Sequence, residues 1–442
     1  GMAFTQWGGV AYWADAGVNR DGLGLPDAVT KALQKDADKR SDKERQTIAS
    51  HFESIAPQLT SIRGEISSLE GQREQMKKSL PTTLITTATN PRMVRVLPRG
   101  NWLDDSGEIV QPQVPVVFGE LTPPEGKRLN RLDLANWLVG KDNPIVARVF
   151  VNRLWKLFYG QGLVGTLEDF GSQGDWPTHP ELLDWLAMEF IDSGYDVKHM
   201  VTLMVTSGTY RQTSAATPQA LQRDPFNHWL ARQGRFRLSA EFIRDNALAV
   251  SDLLVEEIGG PSVKPYQPAG YWQHLNFPKR SWQADKGSDQ YRRGLYTWWQ
   301  RSFLHPSLLA FDASPREEAV CARPRSNTPL QALVLLNDPT YVEAARVFAE
   351  RLMKEGGNTP AARLTFAYRQ VLQREPLKDE TTILLSLYEK HRSEYAADKA
   401  AAEKLLKEGD KPADASLDTA ELAAWTSVSR VILNLHETIT RE

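Results

Sequence analysis

The sequence predicts a mainly α-helical protein: a multi-helix globular domain with one short β-hairpin and one long aromatic-rich irregular region, preceded by a helical arm. Three observations carry this expectation. First, a capping residue stands ahead of a proline at DNP (142–144), THP (178–180), NTP (327–329), NDP (337–339) and NTP (358–360). Proline is tolerated in a first turn because the leading amides of a helix have no partner inside it. Second, apolar residues recur at steps of three and four from Ile48 to Met76, the period of an amphipathic helix. Third, strand-like composition is confined to MVRVLPRGNWLDDSGEIVQPQVPVVF, whose DSG reads as a hairpin turn.

In chain order, the opening AFTQWGGVAYWADAGVNRDGLGLP is rich in glycine and aromatics and reads as an extended tail packing on the next module. Asp15, Asn19, Asp21 and Gly22 trace part of a calcium loop, but Gly17 stands where a ligand belongs and no glutamate closes the loop, so a turn is the reading. Residues 27–80 read as two or three helices ending in a long one. They are expected to form an antiparallel hairpin against the main body, with a partner-binding coiled coil as the alternative. After the TTLITTATNP linker and the hairpin, everything downstream is helical except residues 254–314. That stretch holds Gly259–Gly260 and the aromatics Tyr266, Tyr271, Trp272, Trp282, Tyr291, Tyr296, Trp298 and Trp299. Irregular stretches of such length are often functional, which makes it a second candidate for a site wall. Asp379–Glu408 reads as one charged helix ended by Gly409, followed by a DKPADAS linker and a docking helix from Asp418. The expected organisation is an arm at 1–90, a helical core at 91–375, and a long helix with its docking helix at 376–442.

A chain of 442 residues has room for two or three domains with a proper core. Its net charge of −2 calls for neither nucleic acid nor an anionic membrane. Cys321 is the single cysteine, which excludes an internal disulfide, a Cys-rich zinc site and a c-type haem attachment within this chain. No segment approaches the roughly 18 apolar residues of a membrane span, and Gly1–Met2 reads as an added remnant rather than a leader. Nucleophile-elbow, Walker, dinucleotide and HExxH motifs are absent from the sequence.

The densest run of candidate chemistry lies between Arg131 and Thr213. Asp169, Asp175, His179, Glu181 and Asp184 gather four carboxylates and a histidine, a set suited to a divalent metal or to acid–base work. Asp169, His179 and Asp184 are the catalytic candidates. Thr178 and Glu181 also make a T-x-x-E capping box, the favoured reading of Glu181. His179 is expected as the first residue of its helix, where the dipole favours the neutral imidazole. Arg148, Asn152 and Arg153 share one helix side and read either as a solvated face or as groups aimed at an anionic substrate. Arg244 beside Asp245 has the same two readings. FDASPREEAVCARPRSNTP places Arg316, Arg323 and Arg325 ahead of a helix start, where an anion could dock, or where Asp312 and Glu317 could pair with them. His305 has no partner recognisable in the sequence, and Cys321 would need a histidine near it in space to act as a nucleophile.

RGNWLD, RLDLANWLV, NRLWKLFYGQGLV, DFGSQG, HPELLDWLA, SGTYRQTS, RLSAEFIRD, FDASPRE, NTPLQALVLLNDP and ELAAWTSVSRVILNL appear in that order from about Pro91 onward. Together they resemble the planctomycete PSD1 domain, DUF1553, and the preceding residues resemble the linker ahead of it in such proteins. The resemblance implies an exported, periplasmic or secreted protein whose full length carries a cytochrome c-like domain with haem c and a DUF1549 domain. It transfers no catalytic residue. Family sequences often hold a cysteine two residues after the Arg316–Glu317 pair, where this chain has Ala319, its cysteine standing at 321. The functional expectation is a module acting beside the haem domain in breakdown or oxidation of sulfated or otherwise complex polysaccharides. The alternatives are a noncatalytic scaffold docking the haem and DUF1549 domains, and a metal-assisted hydrolase or lyase.

Overall fold

The computed structural model describes residues 24–123, 126–274, 281–301 and 303–441. The opening tail and the turn at Asp15, Asn19, Asp21 and Gly22 lie outside the described residues. The described chain divides into two compact units, one reaching Val110 and one starting at Gln111.

In the first unit, helices α1 (Asp27–Leu33), α2 (Asp42–Ile55) and α3 (Thr60–Ser79) follow one another. Ser41 and Glu44 form a capping box that starts α2. Arg63 closes its other end, donating to the carbonyls of Glu53 at 2.7 Å and Ala56 at 3.0 Å, which would otherwise lack partners. The expected hairpin pairs strands β1 (Val94–Arg95) and β2 (Ile109–Val110) antiparallel, with Val94 opposite Val110. Its DSG turn needs glycine, because a Cβ on Gly107 would stand 1.9 Å from the Val96 carbonyl oxygen.

The second unit runs through α4 (Arg131–Leu138), α5 (Val146–Tyr159), α6 (Pro180–Asp192), α7 (Val197–Thr206) and α8 (Pro218–Arg223) to strand β3 (Phe236–Arg237). After α9 (Ala240–Val250) come short 3-10 turns, α10 (Pro306–Ala310), α11 (Pro329–Asn337), α12 (Pro339–Glu355) and α13 (Pro360–Leu372). The chain ends with α14 (Lys378–Ala397), α15 (Lys399–Leu406), α16 (Thr419–Leu433), α17 (His436–Ile439) and strand β4 (Thr440–Arg441). Strand β4 pairs with β3, setting Phe236 opposite Arg441 and tying the chain end to the entry of α9.

Three apolar clusters hold this unit. Val151, Trp155, Leu186, Phe190 and Met200 join α5, α6 and α7. Ile243, Leu308, Phe311 and Val347 join α9, α10 and α12. Phe348, Tyr368, Tyr388 and Trp425 join α12, α13, α14 and α16. Helix α16 is apolar nearly all round and correspondingly buried, so the expected docking helix is a central element of the core.

Four of the five proline signals place the proline at the first helical position, and two of those starts carry the expected side-chain cap, from Asp338 and Thr359. DNP differs: Pro144 precedes the helix, and Asn143 Oδ1 accepts from the amides of Ile145 and Val146, both at 3.1 Å. The charged helix predicted for Asp379–Glu408 is broken at Asp398, whose carboxylate caps a fresh start by accepting from Ala401 N at 2.9 Å. In the irregular region the aromatics pack on one another: Trp272 stacks on Trp282 with centroids 5.5 Å apart, and Trp298 and Phe303 close around them.

Candidate functional site

Most of the sequence-derived candidates are engaged in local structure. Arg148 Nε donates to Asp184 Oδ1 at 2.7 Å, so these two candidates neutralise each other. Asn152, fully buried, clamps one peptide unit from both sides: its Nδ2 donates to the Val164 carbonyl and its Oδ1 accepts from Val164 N, each at 3.0 Å. It is therefore internal, unlike the shared solvent face expected for it with Arg148 and Arg153. Arg153 donates to the Cys321 sulfur at 3.0 Å. Arg244 is buried and spends its guanidinium on the carbonyls of Gln290 at 2.6 Å and Arg292 at 3.2 Å, and burial lowers its pKa.

The carboxylate–histidine segment is a tight turn. Asp169 Oδ1 accepts from Gly171 N at 2.7 Å, and its carbonyl accepts from the Thr166 hydroxyl at 2.8 Å. His179 is the N-cap rather than the first helical residue, its ring meeting Thr178 Oγ1 at 3.1 Å. The Thr178–Glu181 capping box does not form, because the Thr178 amide and hydroxyl both donate to the Leu163 carbonyl instead. Among the described residues, no group of three or more His, Cys, Asp or Glu is placed to hold a metal ion.

The basic turn rearranges the pairings expected of it. Asp312 pairs with Arg237 at 2.5 Å, Arg323 with Glu241 at 2.7 Å and Glu317 with Arg301 at 3.5 Å. Arg316 and Arg325 are left to aromatic faces, Arg316 over Trp299 at 3.9 Å and Arg325 over Phe236 at 4.8 Å. Neither makes an ion pair among the described residues.

Arg325 lines a cavity of about 440 Å³, within the usual size of a small-molecule site. One wall is the turn after α5, another the 225–236 segment, and Thr178 contributes from the start of α6. Glycines let the walls meet. Gly160 ends α5 at φ 85° with Phe236 where a Cβ would go, and a Cβ on Gly234 would stand 2.2 Å from the Tyr159 carbonyl oxygen. The Asn152 clamp fixes the backbone just beyond Leu163, itself a lining residue. Gln233, buried, anchors the opposite wall to the Tyr210 carbonyl at 2.9 Å.

The cavity is cationic. Arg232, Arg235 and Arg325 line it, together with His228, and no lining residue is an aspartate or glutamate. Arg232 donates to the carbonyls of Asp224 at 2.8 Å and Pro225 at 3.0 Å, which fixes the segment while keeping its charge. Burial raises the pKa of Asp224, but its bonds from the Trp229 and His228 amides outweigh this and hold it below the ordinary value. Burial and the nearby Arg237 draw the Arg325 pKa down. Burial, then the nearby Arg325, also lower the Lys156 pKa, while Glu168 works in the opposite direction. Burial raises the Tyr159 hydroxyl, which is engaged by the Met204 carbonyl at 3.1 Å and by Ser207 at 2.9 Å.

Of the residues the sequence singled out as ligand-binding, Arg325 is the one that lines this cavity. Arg232, Arg235 and His228 were missed, since PFNHWLARQGRFR has neither helical nor strand period. The available signal was three arginines around a glycine.

A mainly helical domain with an arginine-lined cavity and no cofactor motif defines the class. The chain belongs to the PSD1 family, described as a protein of unknown function (DUF1553), whose family model matches residues 130–388. No curated protein and no solved structure matches it.

Proposed function

We propose that this domain is a binding module whose cavity receives an anionic group of a complex polysaccharide, a sulfate ester foremost. The carrying observation is a cavity lined by Arg232, Arg235 and Arg325 without any carboxylate in its lining. Guanidinium groups fixed by other contacts suit tetrahedral oxyanions, since they supply charge and directed donors without further ordering cost. Phe226 adds an exposed apolar face for a sugar ring, and the exposed Trp229 and Trp176 follow and precede lining residues in sequence. On this reading the domain belongs to a longer, exported polypeptide. Oxidation or cleavage is then the work of companion domains, a haem c domain and a DUF1549 domain among them. The hydrolase or lyase alternative has less support, because Asp184 is paired with Arg148 and Asp169 is turned onto Gly171.

The test is calorimetric titration with a sulfated oligosaccharide and its desulfated counterpart. The sulfated ligand should bind, and Arg325→Ala should weaken it by roughly 10- to 100-fold, the worth of one charged hydrogen bond. Equal affinity for the desulfated ligand would remove the basis of the proposal.

A further inference from the structure

Helix α3 is a 20-residue helix that, among the described residues, meets chiefly the short 3-10 turn Pro57–Leu59 at its own start. An isolated helix of this length is marginal in water, and Gly64 and Gly71 in its interior cost about 1 kcal/mol each relative to alanine. Yet it carries an apolar seam at strict coiled-coil spacing. Ile62, Leu69 and Met76 occupy d positions, Ile66 and Arg73 occupy a positions, and Leu59 and Leu80 flank the helix at its two ends. Ile62, Ile66, Leu69 and Met76 are 51% to 68% exposed, so the seam is uncovered.

We infer that α3 pairs with α3 of a second copy of this chain in an antiparallel coiled coil. The flanking charges select both partner and direction. With Ile66 opposite Leu69 of the second chain, the e positions set Arg63 against the other chain's Glu70 twice, and Glu65 meets Gln72. A parallel pairing would instead place Glu65 beside the second chain's Glu70 on both sides, which repels. Arg63 already holds the last carbonyls of α2 and keeps its charge next to the seam. Antiparallel packing also sets opposite helix dipoles side by side. Arg73 falls opposite Ile62, near the end of the paired stretch, where its stem can lie on the seam while its head stays in water.

Four apolar side chains, each open by half or more, and the stems flanking them bury on the order of 1,000 Å² in the pair. This is the lower bound of a specific interface, so self-association should be weak and concentration-dependent.

Light scattering or sedimentation of the full chain reads this directly. The expected result is a concentration-dependent rise from 49.7 kDa toward twice that mass. Ile66→Glu combined with Leu69→Glu should hold the chain at the monomer mass. Arg63→Glu and Glu70→Arg should each weaken self-association at least tenfold, while an equimolar mixture of the two restores it, because each chain then meets its complement. A monomer at all concentrations, or a dimer that survives the double glutamate variant, would overturn the inference. A mixture that fails to restore association would overturn the antiparallel register.

Discussion

Asn152→Ala tests the idea that a single buried amide sets the shape of the cavity. Asn152 is fully buried and Val164 nearly so, and each makes its bond to the other at 3.0 Å in both directions. Alanine leaves the Val164 amide and carbonyl buried without partners, at about 1–2 kcal/mol each, and opens a small void besides. The expected loss is about 3–4 kcal/mol in urea unfolding. Hydrogen exchange at residues 161–165 should accelerate by roughly a hundredfold or more, the same free energy seen locally. Asn152→Asp should fare little better, because it keeps the acceptor for Val164 N but sets a carboxylate against the Val164 carbonyl. Since Leu163 lines the cavity, sulfated-ligand affinity should fall in parallel. A loss below about 1 kcal/mol with unchanged exchange would refute this reasoning.

Two further outcomes follow from the core. His305 is buried between the Tyr266 carbonyl and Ser307, and burial, then the nearby Arg244, depress its pKa from the ordinary 6.5 to about 4. The unfolded chain therefore takes up this proton first as pH falls. The stabilising contribution is fully present above about 6.5 and is lost progressively toward about 4. Stability curves across that window should flatten in His305→Gln, and an unchanged slope would deny the imidazole this role. Trp425 lies at the centre of the α12–α14–α16 core with no exposed surface, so Trp425→Ala should cost about 3–5 kcal/mol in denaturant unfolding. A change near zero would show that α16 is not the keystone of that core.

Helix starts were legible because their determinants are local: a capping oxygen and a proline within a few residues fix the first turn at 339 and 360. Asp398 escaped for the opposite reason, since a charged, helix-forming run conceals a single capping aspartate whose effect depends on the chain bending there. The hairpin was legible from its β-branched runs and the need for glycine at 107. Asn152 was visible as a polar residue on an amphipathic helix, but only the fold brings the 163–164 turn against it and makes it internal. The cavity was legible at one point, Arg325, flagged as a basic turn ahead of a helix. Arg232 and Arg235 lie far from it in sequence, and nothing in a one-dimensional pattern says that Phe236 supplies the face on which Arg325 rests. Likewise, Asp312 and Glu317 were the natural partners for Arg316 and Arg325, yet Arg237 and Arg301 reach them first.

The most direct test of the central claim is a crystal structure of the protein soaked with a sulfated oligosaccharide. A sulfate is expected within hydrogen-bond distance of the Arg325 guanidinium, seated between the turn after α5 and the 225–236 wall. Ligand bound elsewhere, with this cavity holding only water, would contradict it.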